Sequence, residues 1–463
     1  MGNKLQSFTN PKWTFSLPQE TPSYTHEQHA YTIEMAPEAP YTVKWGIMAT
    51  GGIAETFCKD LLTDPATRSV HDVKHQIVAV SSSSSVERAA SFIKKIDGPA
   101  TARAYGSYAE LVADSDVDII YVATPHSHHF QNAMLALEAG KNVLCEKALT
   151  VTASQAKKLV AKAMEKNLFF LEAMWTRYFP LSIKIRELIS SGEIGTVYRT
   201  LGEFFARLLS QNFLVHLRLP GLESKDHDTN PPRPADLSCN ENTPQAAGVV
   251  NFPDTHRMVS KDLAGGALLD LGVYALTWVF QTLYHVQPSA TKEAPRVLAA
   301  ANQYHTGVDE NTSVICHFPD TRAIGVATTS MLVGTSPHGE ATAAPAVRIQ
   351  GSKGEIQVPH PAYRPLAYSV IRKEGDGDVE VVKCPIPTDP ARGNWGHGMF
   401  WEADECARCL RDGKKQSSTL PWDESIVIMQ TMEEALRQGG VEYPELITTD
   451  IYDAKSPLNT GNK

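Results

Sequence analysis

Residues 143 to 160 read VLCEKALTVTASQAKKLV: an apolar run, Val143-Leu144-Cys145, delivers an acid and a lysine side by side, Glu146 and Lys147, before an amphipathic stretch begins. Glu and Lys are among the residues least often buried without a partner. A strand tip presenting them into a crevice is a place for proton chemistry; an isolated pair on a solvated strand end is the plain alternative. Upstream, GIMATGGIAE follows an apolar run and opens a helical one, the setting a dinucleotide fingerprint needs. Read as G-x-G-x-x-A, its positions are Ala49, Gly51 and Ala54, with Thr50, Gly52 and Ile53 completing the turn. Gly51 lets the backbone approach a pyrophosphate, Ala54 permits close helix–strand packing, and the helix start offers free N–H groups and a positive dipole end. Ala49 departs from the glycine usual in that tight turn.

The next strand end discriminates between cofactors. NAD sites place an acid there for the ribose 2′-hydroxyl, but VAVSSSSSVER carries none before Glu87. Hydroxyls such as Ser82 and Ser83, with the Arg88 guanidinium, suit a 2′-phosphate, where a carboxylate would repel. NADP is therefore expected, a merely flexible Ser-rich loop being the alternative. TPHSHH offers three histidines at another strand end. Without Cys or acidic ligands nearby, no metal is expected there, and a loop near the cofactor ribose is the better reading.

Apolar strands must carry these tips. VKWGIM, HQIVAVSS, VDIIYVAT, KNVLCEKA and LFFLEAMW read as strands. IAETFCKDLL, SVERAASFIKKI, YAELVADS, HHFQNAMLALEAG (closed by Gly140) and TASQAKKLVAKAMEKN (capped by Thr152) read as helices, and PATARAYGS as a connection. Continuously apolar strands alternating with helices give a parallel sheet covered on both faces, with ligands beyond the carboxyl ends of its strands. After Trp175 the pattern changes to a helix, a long strand, a Pro-rich insertion at 220–256, the helix GGALLDLGVYALTWVFQTLYH, strands from about 293 to 382 and two late helices. The predicted class is α/β: an N-terminal extension (1–42), a doubly wound Rossmann domain (43–172), an α+β domain with a large, mostly antiparallel open sheet (173–440) and a C-terminal tail (441–463).

A formal net charge of −9 excludes a dedicated nucleic-acid surface. No run of 18 apolar residues predicts a membrane span, and MGNKLQSFTNPKW lacks the apolar core of a secretory signal. Seven scattered cysteines read as reduced thiols in a cytoplasmic protein, and Cys406 and Cys409 as helix packing.

GIMATGGIA, VDIIYVATPHSHHFQNAMLALEAGKNVLCEKALTVTASQA, FFLEAMWTRYFP and GGALLDLGVY together resemble the Gfo/Idh/MocA oxidoreductases. The likeness spans roughly residues 43–440, nearest the dimeric dihydrodiol dehydrogenases and the NADP-dependent D-xylose 1-dehydrogenases. It implies that Lys147 is catalytic, in a Glu-Lys-Pro element whose Pro is here Ala148. It also implies that the D-x-x-x-Y element supplies Tyr274 as proton acceptor and Asp270 facing the substrate. Lys147 would lower the Tyr274 pKa. Thr124, Pro125, His126 and His129, with Glu146, would line the cofactor. Trp175 and Arg177 would form a sugar-stacking wall and a hydroxyl donor, a domain-hinge role being the alternative, and Arg257 a further substrate contact. The implied activity is oxidation of an aldose at its anomeric hydroxyl, D-xylose to its lactone first, with hydride passing to NADP. Oxidation of trans-1,2-dihydrobenzene-1,2-diols is a same-class rival, and a non-catalytic sugar-regulon regulator a rival of another class. An open sheet with one bare face predicts a homodimer.

Overall fold

The computed structural model describes residues 39–205, 252–288, 290, 292–333, 344–374 and 379–460. The predicted extension up to residue 38 and the predicted insertion from 220 to 251 lie outside the described residues.

Six strands, β1 (Tyr41–Met48), β2 (Val73–Ser81), β3 (Arg103–Tyr105), β4 (Ile119–Val122), β5 (Asn142–Glu146) and β6 (Phe170–Ala173), form a parallel sheet in the order β3-β2-β1-β4-β5-β6. Every residue of β4 is buried, as a strand covered on both faces requires. The helices between them are α1 (Gly52–Leu61), α2 (Val86–Lys95), α3 (Tyr108–Ala113), α4 (His126–Glu138) and α5 (Ala153–Glu165). Local chemistry sets their ends. Ser85 and Ser107 cap α2 and α3, and Thr152 with Gln155 makes a capping box on α5. Gly140, at φ +79°, ends α4. The predicted connection around Arg103 is instead the short strand β3. It pairs only with β2 at the sheet edge, and its half-exposed side chains gave no apolar signal. Strand order reverses between β1 and β4, which opens a crevice at their carboxyl ends.

The second sheet runs β14-β13-β12-β11-β7-β10-β9-β8, antiparallel except where β7 meets β10. Its strands are β7 (Val197–Phe205), β8 (Arg296–Gln303), β9 (Asp309–Phe318), β10 (Ala323–Ser330), β11 (Val347–Gly351), β12 (Gly354–Val358), β13 (Ala367–Arg372) and β14 (Val379–Lys383), with helix α6 (Pro180–Ser190) ahead of them. One face carries helix α7 (Val273–Val279), extended at both ends by π-helical turns, Leu268–Gly272 and Phe280–Tyr284. The sequence predicted one regular helix here; wide turns of this kind gather at functional sites. Gly202 lets β7 approach α7 closely, because a Cβ there would lie 2.8 Å from the Ala275 carbonyl oxygen. The helical stretch Lys261–Tyr284 is long and apolar enough to cross a bilayer by composition, but it is enclosed by protein as a core helix.

Of the two late helices, α8 (Phe400–Arg411) returns to pack on β1 and β2, and α9 (Trp422–Gln438) packs on α5 and β8. Arg68 grips Asp404 of α8 through two 2.8 Å bonds, each side chain 1% exposed. Asp60 of α1 accepts from the backbone N–H of His397, Met399 and Phe400 and from Trp395 Nε1. The predicted tail is also tied down. It forms short helices α10 (Glu445–Thr448) and α11 (Pro457–Thr460), and Asn132 and Gln155 donate to the carbonyls of Leu458, Ile447 and Thr449. Cys406 and Cys409 lie buried on α8.

Candidate active site

Successive side chains at a strand end leave on opposite sides, and that alternation separates Glu146 from Lys147. The Glu146 carboxyl turns inward, where it accepts from the Tyr121 hydroxyl and from the Lys147 N–H. It is 4% exposed, and burial pushes its pKa up to about 7. Its oxygens point to the interior, whereas the sequence reading has Glu146 lining the cofactor.

Lys147 enters the crevice, and its peptide bond to Ala148 is cis. Its Nζ donates to Asp270 twice, at 2.7 Å to the carbonyl and 3.0 Å to Oδ1, and stands 4.9 Å from the centre of the Tyr274 ring. Asp270 sits on the first π-helical turn and Tyr274 one turn later, at the start of α7. Arg257, its side chain 53% exposed, donates to Asp270 Oδ1 at 3.1 Å. His126 Nε2 lies 3.9 Å from the same oxygen, and its Nδ1 faces the Ala264 carbonyl. Burial alone would raise the Asp270 pKa, but the charges of Arg257 and Lys147 outweigh it and hold the carboxylate ionised. His126 itself is driven down to about 3 by burial and is neutral.

The phenol of Tyr274 behaves otherwise than predicted. Burial and the charge of Glu146 push its pKa well above the usual tyrosine value, opposed by the hydrogen bond it accepts from Trp175 Nε1 at 2.8 Å. The Lys147 ammonium lies over the ring face, with its protons directed at Asp270, so it does not bring the phenol down in this state. Trp175, expected as a sugar-stacking wall, is also enclosed. It is 2% exposed, one ring face is covered by His397 (centroids 5.0 Å apart, planes at 26°), and its N–H is spent on Tyr274. Arg177 takes no part in the crevice. It is fully buried and donates to Glu424 at 2.7 Å, to the Thr419 carbonyl and toward His285 Nδ1. It acts as an internal strut, where the sequence reading offered a hydroxyl donor or a domain-hinge role.

At the phosphate turn, Ala49 adopts φ +86°, a backbone region glycine enters freely and alanine rarely. A Cβ on Gly51 would meet nothing within 4 Å, so protein packing does not require the glycine, and the space it leaves is open. Gly52 and Ile53 begin α1 above it. Arg88 is exposed and reaches back so that its Nε donates to Thr50 Oγ1 at 3.3 Å. Ser82 is buried and hydrogen-bonds Ser84, while Ser83 is half-buried beside them. The end of β2 therefore gathers hydroxyls and a guanidinium with no carboxylate of its own. Thr124 Oγ1 is buried with no partner among the described residues, and Pro125 is exposed at the crevice rim. These features fit a dinucleotide carrying a 2′-phosphate: an open cradle for the pyrophosphate, an orphaned hydroxyl beside it, and cationic and hydroxyl donors at the ribose end. His129 is fully enclosed, its ring nitrogens 2.9 Å from the carbonyls of Thr124 and Ala148. It ties two strand tips together and does not line the crevice.

Sequence reasoning missed Tyr121, Phe204, Tyr363 and His397. Phe204 and Tyr363 pack against Tyr274, with ring centroids 5.6 and 5.7 Å away. The four come from β4, β7, the stretch before β13 and the loop before α8, and no local motif connects them.

Residues 43–173 match the family described as "Oxidoreductase family, NAD-binding Rossmann fold", and residues 236–357 match the "GFO/IDH/MocA C-terminal domain". The chain is 64% identical over 429 residues to D-xylose 1-dehydrogenase (NADP(+)) of Hypocrea jecorina, covering 93% of this chain and 100% of that one. It is 33% identical over 401 residues to trans-1,2-dihydrobenzene-1,2-diol dehydrogenase of Xenopus tropicalis, covering 87% and 99%. In fold it resembles levoglucosan dehydrogenase in complex with NADH and levoglucosan, with a TM-score of 0.64 at 17% identity over 86% of this chain and 97% of that one.

Proposed function

The chain belongs to the Gfo/Idh/MocA oxidoreductase family, and from that premise we propose that it oxidises the anomeric hydroxyl of an aldose, D-xylose foremost, to the lactone with NADP. The convergence of Lys147, Asp270 and Tyr274 beside an open phosphate cradle carries this reading. The 64% identity to the Hypocrea jecorina enzyme supports the sugar and the cofactor. Bound NADP⁺ supplies the hydride acceptor and a positive charge. Gly51, Thr50 and Arg88 would hold its phosphates, and Thr124 and Pro125 its ribose side.

Tyr274 is the proton acceptor in this reading. Its phenol rests in the neutral form, and Trp175 N–H stabilises the phenolate on which proton removal depends. Lys147 is fixed by the Asp270 carboxylate and carbonyl, which leaves its remaining N–H for the reacting oxygen. Arg257 keeps Asp270 charged from the crevice mouth. Because the phenol must lose its proton first, turnover should rise with pH well past neutrality.

The aromatic rings of Phe204 and Tyr363 about Tyr274 favour one second reading, a planar trans-dihydrodiol as substrate. A regulator without turnover would have no use for the Lys147–Tyr274 pair. The deciding assay follows absorbance of the reduced nicotinamide with NADP⁺ or NAD⁺ against a panel of aldoses and a trans-dihydrodiol. The reading requires NADP⁺-dependent turnover of D-xylose; turnover of the dihydrodiol alone would replace it, and none with any substrate would remove it.

We also infer a homodimer formed through the bare face of the second sheet, and a cytoplasmic setting in which the six described, unbonded cysteines stay reduced.

A further inference from the structure

His397 lies in the loop before α8 and is held at its backbone from both sides. Its N–H donates to Asp60 Oδ1 at 2.8 Å, and its carbonyl accepts from Arg364 Nε at 2.9 Å. Arg364 braces the preceding carbonyl, that of Gly396, at the same distance. Two charged residues, one of them the fully buried Asp60, thus fix where the imidazole stands. The ring lies flat on Trp175, whose N–H bonds the Tyr274 hydroxyl, so it is one aromatic layer from the proton-transfer group. Yet neither imidazole nitrogen has a hydrogen-bond partner among the described residues. Tyr363 repeats the pattern. Its carbonyl is held by Thr176 Oγ1, its ring packs on Trp175 and Tyr274, and its hydroxyl has no partner among the described residues.

His397 and Tyr363 are half-buried, so a backbone anchored this firmly beneath them holds polar atoms that no described protein group satisfies and that solvent or a ligand can reach. Burial pushes the His397 pKa down to about 3, so the ring is neutral at working pH and offers one donor and one acceptor. A sugar hydroxyl is both acceptor and donor and matches it, whereas a carboxylate or phosphate would ask for two donors.

We propose that His397, with the Tyr363 hydroxyl beside it, is a specificity residue that hydrogen-bonds the sugar hydroxyls remote from the anomeric carbon, and that Asp60 and Arg364 position it. This rests on the aldose reading given above. It adds that discrimination among aldoses is decided in the loop before α8 and not by Trp175 or Arg177. Sites built to bond a hydroxyl reject analogues lacking it far more strongly than apolar pockets reject a missing methylene.

The test measures kcat/KM with NADP⁺ for D-xylose and its 2-, 3- and 4-deoxy analogues in the wild type, His397→Phe and His397→Gln, with NADPH binding followed by fluorescence. Phe keeps the stacking on Trp175 and loses both nitrogens; Gln restores a donor and an acceptor. In the wild type at least one deoxy analogue should fall about 10-fold or more below xylose, the effect of one neutral hydrogen bond. His397→Phe should lose about 10-fold on xylose, chiefly in KM, and cease to distinguish that analogue, while His397→Gln recovers part of the discrimination and both keep NADPH affinity. An unchanged deoxy profile in His397→Phe, or a wild type indifferent to every deoxy analogue, would overturn the proposal and leave the aldose reading standing. If His397→Phe does not fold, the wild-type and His397→Gln profiles decide alone: discrimination weakened in Gln supports the proposal, and a deoxy profile identical to the wild type overturns it. A wild type inert toward all aldoses would overturn both.

Discussion

Glu146 is the residue whose placement most changes its meaning. Beside Lys147 in the sequence it read as a partner in the crevice; in the fold it is a buried acid whose pKa is raised from 4.5 to about 7 by burial. An acid raised in this way holds a proton in the folded state that the unfolded chain has already released. Its contribution to stability is therefore full below about pH 4.5 and is lost as pH rises through the window to about 7. Glu146→Gln should remove that slope. Between about pH 5 and pH 8 the variant should gain on the wild type by about 1–3 kcal/mol in urea unfolding. Identical pH dependence of the two proteins would show that Glu146 ionises normally. Lys147 could be read from its strand-tip motif, and Asp270 with Tyr274 from spacing, because residues four apart on a helix share a face. Trp175, Arg177 and His397 could not. Whether a tryptophan offers its face or its N–H, and whether an arginine points outward or toward Glu424, depends on neighbours about 100 to 250 residues distant.

Among the elements, the nucleotide-binding strands and helices were legible almost throughout, because continuous apolar strands and Ser or Thr caps are local signals. The edge strand β3, the π-helical turns about α7 and the return of α8 to the first sheet were not. They depend on pairing, on close approach to β7, and on the ion pair between Arg68 and Asp404. The phosphate turn makes the sharpest prediction at this scale. Since a Cβ on Gly51 meets no protein atom within 4 Å, Gly51→Val should fold with a melting temperature within a few degrees of the wild type. It should nevertheless lose NADP⁺ affinity by about 100-fold or more, roughly 3 kcal/mol, because the side chain fills the space the pyrophosphate needs. Calorimetric titration together with a thermal melt decides. Unimpaired binding would mean that the cofactor lies elsewhere.

The whole molecule sets two surfaces against each other, a crevice and a bare sheet. On the face of the second sheet away from α7, Leu298 is 61% and Ile315 39% exposed, and Leu298, Ile315, Val326 and Leu201 form a row across β8, β9, β10 and β7. We take this apolar row on an open sheet as the surface of the proposed dimer. Light scattering should return about two chain masses for the wild type and about one for Ile315→Asp; one mass for the wild type would remove the dimer. The crevice is assembled from both sheets, since Lys147 comes from the tip of β5 and Tyr274 from the helix that covers β7. We propose that these two residues act as one proton-transfer unit. The direct measurement is kcat against pH on D-xylose with NADP⁺ for the wild type, Tyr274→Phe, Lys147→Met and the double variant. Each single change should cost about 100- to 10,000-fold with NADPH binding retained, the double variant should be little worse than either, and Tyr274→Phe should lose the rise of rate with pH. Near-full turnover of Tyr274→Phe with an unchanged pH profile, or losses that simply multiply in the double variant, would contradict it.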